Sequence, residues 1–175
     1  MSNSARNYIR NLNLALHPEG GYYKEVFRSP EYCRKLPGRY NGRRNLLTSI
    51  YYLLEGHQFS TFHRLNSDEI WNFYDGCSLM LYILTKKDGL ITIRLGRDLG
   101  KNEKLQLVVS RDQWFAAQPV ERSGFSLVGC TVAPGFEFED FELGKRKELL
   151  KIYPQHRDII VRLTNEEPPE DGPSS

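Results

Sequence analysis

GHQFSTFHRLNSDEIWNFYDG, residues 56–76, alternates apolar and polar side chains on both sides of Asn66-Ser67. That is the period of β-strands rather than of a helix. On the first segment Thr61, His63 and Leu65 share a face; on the second Glu69, Trp71 and Phe73 do. The short Asn66-Ser67 turn predicts that the two segments pair as a hairpin. With both faces turned inward, an imidazole and a carboxyl meet in surroundings set by Trp71 and Phe73. Desolvation and mutual attraction then tune both groups, as in acid–base centres. The same residue types also build structural ion pairs, and the pattern alone leaves both readings open.

Outward from this stretch the period of two persists in YYKEVFR (22–28), LLTSIYYLL (46–54), SLMLYILT (78–85), LITIRL (90–95), LQLVV (105–109), WFAAQ (114–118) and FSLVGCTVA (125–133). Turn pairs such as Glu55-Gly56, Asp75-Gly76, Asp88-Gly89 and Leu99-Gly100 separate the runs at the spacing of about 8–12 residues typical of an all-β sandwich or barrel. Helical spacing is confined to the ends. Tyr8, Ile9, Leu12 and Leu16 follow a cap at Ser2 or Ser4 and stop at His17-Pro18. Leu149, Leu150 and Ile152, then Ile159, Ile160 and Leu163, mark two short helices expected to cover a sheet edge or face. Residues 1–164 read as one domain, and the acidic, proline-rich tail 165–175 is expected to be disordered.

At 175 residues the chain is long enough to bury a core without staples, and its 24 basic and 22 acidic residues leave a net charge of only +2. Near-neutrality speaks against a nucleic-acid binder. No apolar run approaches the ~20 residues of a membrane span, and the polar start lacks the apolar block of a secretion signal. Cys33, Cys77 and Cys130 are too far apart for a CxxC clip and odd in number, so a reducing, cytoplasmic setting is expected.

His63, Glu69 and Gly76 fall at the spacing of HxHx3-4Ex6G, and this stretch resembles the first motif of the cupin superfamily. Leu65 replaces the second histidine, and 110–115, SRDQWF, carries aromatics where the second cupin motif places a further histidine. Cupins bind a metal through these histidines and the glutamate. With two donors left, a divalent metal would be held mostly by water, so the resemblance implies a metal-free pocket with no cofactor; a transition-metal enzyme is the alternative. HPEGGYYKEVFRS (17–29), TSIYYLLEG (48–56), FHRLNSDEIWNFYDG (62–76), SLVGCTVAPGFEFEDFEL (126–143) and YPQH (153–156) together resemble a cupin branch known as a domain of unknown function. That likeness implies a double-stranded β-helix, or jelly-roll, barrel with short flanking helices, and a homodimer. GGYYKEVFR is also similar to the RGxFxExF segment of metal-free deoxysugar epimerases, with Gly20 where their substrate-contacting arginine stands. Arg28 or the basic loop RKLPGRYNGRR (34–44) would have to replace that arginine against a phosphate, although such charge runs are usually solvated.

The candidate catalytic residues are therefore His63, as general base, and Glu69, orienting its imidazole and favouring the charged form. Candidate ligand-binding residues are Glu25, Arg28, Trp71, Phe73 and Trp114. Tyr23, Glu25 and Phe27 share a strand face, and a carboxylate there needs a partner, yet Arg28 points the opposite way unless a bulge intervenes. The expected ligand is a small polar or sugar-like metabolite, either isomerised or epimerised or bound without conversion, as in a sensor or carrier.

Overall fold

The structure is a computed structural model and describes residues 3–87 and 89–165. The expected cap Ser2, the turn residue Asp88 and the tail from residue 166 lie outside the described residues. In chain order the strands are β1 (Ala15–Leu16), β2 (Tyr22–Arg28), β3 (Thr48–Glu55), β4 (Ser60–Leu65), β5 (Asp68–Gly76), β6 (Leu79–Thr85), β7 (Gly89–Leu95), β8 (Gln106–Val109), β9 (Trp114–Pro119), β10 (Phe125–Ala133) and β11 (Phe141–Leu143). They form two antiparallel sheets, six-stranded β1-β2-β3-β10-β5-β8 and five-stranded β11-β4-β9-β6-β7. The expected β-barrel with helices at its ends is what the chain builds.

The deciding stretch folds differently from the expected hairpin. β4 and β5 belong to opposite sheets, and the chain crosses between them at Asn66-Ser67. Side chains hold this corner. Asn66 Nδ2 donates to Asp140 Oδ1 at 3.1 Å, and Ser67 Oγ donates to the Pro134 carbonyl at 2.9 Å. A two-residue link alone does not distinguish a hairpin from a sheet crossing; tertiary partners do. His63 and Glu69 consequently line one cavity from opposite sheets instead of standing side by side along one ladder.

Alternation sorts each strand into an inner and an outer set. Inside, Tyr52, Trp71, Phe73, Leu81, Phe115 and Val128 belong to one buried cluster between the sheets. Outside, helix α1 (Asn3–Asn11) packs Ala5 over Leu53, Phe125 and Leu127. Helices α2 (Arg146–Ile152) and α3 (Arg157–Arg162) bring Leu149 and Ile160 onto Phe62, Leu84, Trp114 and Ala116. Each such large side chain removed from water contributes roughly 1.5–3 kcal/mol. α1 ends earlier than its apolar spacing predicts. Asn13 turns to φ 54°, and Leu16 leaves the helical stripe to become an exposed residue of β1. Among the described residues no helix is long and apolar enough to cross a membrane.

Candidate functional site

The sequence His17-Pro18-Glu19-Gly20-Gly21 shapes one wall of the barrel mouth. Gly20 and Gly21 adopt φ 112° and 75°, the left-handed region open to glycine. A Cβ on Gly20 would stand 2.3 Å from the Phe59 carbonyl oxygen, so the absence of a side chain lets this loop lie directly on β4. The Thr61 amide then donates to the Glu19 carbonyl at 3.2 Å, and the fully buried Tyr52 hydroxyl donates to the Gly20 carbonyl at 2.7 Å. This clamp drives the Glu19 side chain inward. Ser60 Oγ donates to its Oε1 at 3.0 Å, and Oε2 stands 3.3 Å from His63 Nδ1.

His63 is 3% exposed. Its Nδ1 also lies 2.8 Å from the Thr61 carbonyl oxygen, which can only accept, so Nδ1 carries a proton and Nε2 is the ring nitrogen left for the cavity. Among the described residues no hydrogen bond reaches Nε2. The ring is fixed against Phe115 at 4.1 Å and Phe141 at 5.3 Å between centroids.

Glu69 lines the same cavity from the opposite sheet, but its hydrogen-bond partner is Trp71, whose Nε1 donates to Oε2 at 2.8 Å. Burial, together with the negative charge of Glu19, pushes the Glu69 carboxyl up to about 8, against the smaller opposing pull of the Trp71 hydrogen bond. At neutral pH this carboxyl is protonated. It therefore does not play the expected part of an anion holding the imidazole; Glu19 makes that contact. Burial also lowers the affinity of His17 for its proton, against the attraction of Glu19, and its ring meets Tyr23 edge-on at 4.6 Å.

The cavity bounded by these groups measures about 380 Å³, and its lining includes His17, Glu19, His63, Glu69 and Trp71 at depth. Glu25 and Arg28 line it at the mouth, beside Phe136, Phe138 and Phe141. A β-bulge between Glu25 and Phe27 carries Arg28 to the face of Glu25, where Nε and Nη2 grip both carboxylate oxygens at 3.1 and 2.9 Å. That bulge supplies the partner Glu25 requires. Two other expected ligand contacts are absent from the lining. Phe73 points inward but packs in the closed core beyond the cavity. Trp114 is on the outer face of β9 with Phe62 and Leu149, under the Arg64 guanidinium 4.6 Å from its ring centre; its neighbour Phe115 has the inward parity. The basic loop is anchored away from the cavity through Arg44, which is 3% exposed and bonded to Asp140 and Glu139.

The fold invites a metal at this place, and the donor set does not fit one. Leu65 and Phe115 occupy inward positions beside His63, Nδ1 of His63 is spent on Thr61, and among the described residues no group of three or more His, Cys, Asp or Glu side chains is arranged to hold an ion.

A barrel of two sheets with a histidine–carboxyl pocket at its mouth is a cupin. A family model described as "Cupin superfamily (DUF985)" matches residues 6–144, and the chain belongs to that family. It is similar to the uncharacterised Saccharomyces cerevisiae protein YML079W, 32% identical over 161 residues, covering 85% of this chain and 79% of the yeast protein. Among solved structures, protein SO0799 of Shewanella oneidensis is 41% identical with a TM-score of 0.84, over 95% of this chain and 100% of that one. A hypothetical protein from Leishmania major is 33% identical with a TM-score of 0.85, over 93% and 99%.

Glu19, His17, Phe136 and Phe138 did not emerge from strand periodicity, because they sit outside the strands, and Phe141 opens a strand of only three residues, too short to show a period. The signal available for Glu19 was its place in HPEGG, where paired glycines announce close backbone approach next to an acidic residue.

Proposed function

We propose that the cavity catalyses proton transfer at a carbon beside a carbonyl in a small polar, sugar-like metabolite, an isomerase or epimerase reaction. The observation that carries this reading is an imidazole anchored through Nδ1 to the Thr61 carbonyl, its Nε2 without a partner among the described residues, lining one cavity with a carboxyl that burial keeps protonated at neutral pH. Such a pair supplies a base and an acid within one site.

His63 Nε2 takes the proton from the substrate carbon. Glu19, in contact with Nδ1, stabilises the imidazolium that forms. Trp71 holds Glu69 Oε2, so the carboxyl proton on Oε1 is directed to the carbonyl oxygen, where it neutralises the developing enolate. Return of the abstracted proton from His63 to the neighbouring carbon, as the hydroxyl there gives its proton back to Glu69 and becomes the new carbonyl, isomerises the substrate. Epimerisation needs the planar enediol to turn its other face to His63 before the proton returns, with the first hydroxyl giving its proton back to Glu69. The aromatic rings at the mouth supply apolar faces for the ring carbons of a sugar.

The test is exchange of carbon-bound hydrogen with deuterated solvent, followed by NMR across a panel of aldoses, ketoses and related hydroxy-carbonyl compounds. The wild-type protein should exchange at least one of them, and His63→Asn, folded by circular dichroism, should not. Equal exchange by both proteins, or a compound bound stoichiometrically with no exchange at any position, would assign the cavity to binding without catalysis.

A further inference from the structure

Resting on that reading, we infer that the cavity takes a carbonyl compound bearing a protonated amine and no anionic group, with the ammonium held at the mouth by Glu137 and the face of Phe138. The argument begins with the positive charge in the wall. Arg28 has five N–H donors, and all five are used: two on Glu25, one on Asn45, one on Glu137 at 2.7 Å and one on the Phe136 carbonyl. A guanidinium so occupied has no fork to offer a phosphate or carboxylate. Arg44, the buried arginine of the basic loop, is spent in the same way on Asp140, Glu139 and the carbonyls of Asn41 and Arg43, and it lies outside the lining.

Three carboxylates, Glu19, Glu25 and Glu137, line the same cavity with the protonated Glu69 against this one satisfied arginine. An anion entering would meet no free donor of like strength and an opposing field. A cation meets the reverse. Glu137 is 42% exposed and gives only Oε1 to Arg28; among the described residues Oε2 has no hydrogen-bond partner. Next to it Phe138 is 59% exposed, held edge-on by Phe136 at 5.1 Å, so an aromatic face and a carboxylate oxygen stand together where a ligand enters. That pairing binds alkylammonium groups. Deeper in, two polar side chains more than nine-tenths buried, His63 and Glu69, have a ring nitrogen and a carboxyl oxygen with no described partner. They fix the other end of the ligand, its carbonyl.

The test uses three probes of one shape: glucosamine, glucose and glucose 6-phosphate, with dissociation constants measured by saturation-transfer NMR on full-length wild-type, His63→Asn and Glu137→Gln proteins. The amine should bind about tenfold more tightly than the phosphate in wild-type protein and in His63→Asn alike. Glu137→Gln keeps the size of the side chain but removes the charge, and should bring the two within about threefold. Tighter binding of the phosphate, or a preference unchanged by Glu137→Gln, overturns the inference. Because binding is read in the His63→Asn protein, this outcome is independent of whether hydrogen exchange, and with it the catalytic reading, survives.

Discussion

The Glu19 carboxylate stands 3.3 Å from His63 Nδ1, on the side of the ring opposite the nitrogen left for the cavity. The contact comes from a loop, and in the proposed reaction it orients His63 as the base. Replacing Glu19 by Gln preserves an oxygen for Ser60 and the shape of the side chain but removes the charge that stabilises the imidazolium. The solvent-exchange turnover should fall about 100-fold with little change in the substrate concentration for half-maximal rate. A purely structural Glu19 would show unchanged turnover in the folded fraction.

Glu69 links this chemistry to stability. Its carboxyl ordinarily titrates near 4.5 and in the fold near 8. Below 4.5 it is protonated in folded and unfolded chains alike, and the fold bears no cost. Between these values the unfolded chain ionises while the folded one keeps its proton, so stability falls with rising pH, to a total on the order of 5 kcal/mol above the folded value. Urea denaturation of Glu69→Gln, which still accepts from Trp71, should show a clearly flatter dependence between pH 5 and 8 than wild-type protein. Parallel curves would mean that Glu69 is ionised in the native state.

Gly20 is where backbone geometry and site meet. An alanine there must hold φ 112° and place its Cβ 2.3 Å from the Phe59 carbonyl oxygen. The backbone has to move, at a cost of about 3 kcal/mol or more, and Glu19 moves with it. Gly20→Ala should therefore lose turnover in excess of its loss of folded protein, measured by exchange rate per folded molecule. A variant that keeps full turnover per folded molecule would show that Glu19 does not depend on this loop.

Much of the barrel was legible because it rests on alternation: the inward parity of His63, Glu69 and Trp71 follows from counting by two along β4 and β5. What alternation does not encode is which strands pair. The Asn66-Ser67 link is a sheet crossing because Asp140 and Pro134 hold it, partners some 70 residues away. A bulge resets parity, and the one after Glu25 made Arg28 its ally. Glu19 on its loop and Phe141 in the three-residue β11 carry no legible period, so their place beside His63 is fixed only by the closed fold.

Trp114 separates packing from ligand contact most cleanly. It has the aromatic character of a ligand platform, yet its parity puts it beneath α2 and α3 with Phe62, Leu149 and Ile160, and Arg64 stacks on its outer side. Trp114→Ala should lower stability by about 3–5 kcal/mol, read from denaturant midpoints, through the cavity left under the helices. Trp114→Phe keeps a ring in that space and should cost less. Neither change touches the wall formed by His63, Glu69 and Trp71, so exchange rates and glucosamine affinity per folded molecule should stay within about twofold of wild-type protein. A large loss of ligand affinity in the well-folded Trp114→Phe variant would place the ligand on the outer face of β9 and move the site out of the barrel.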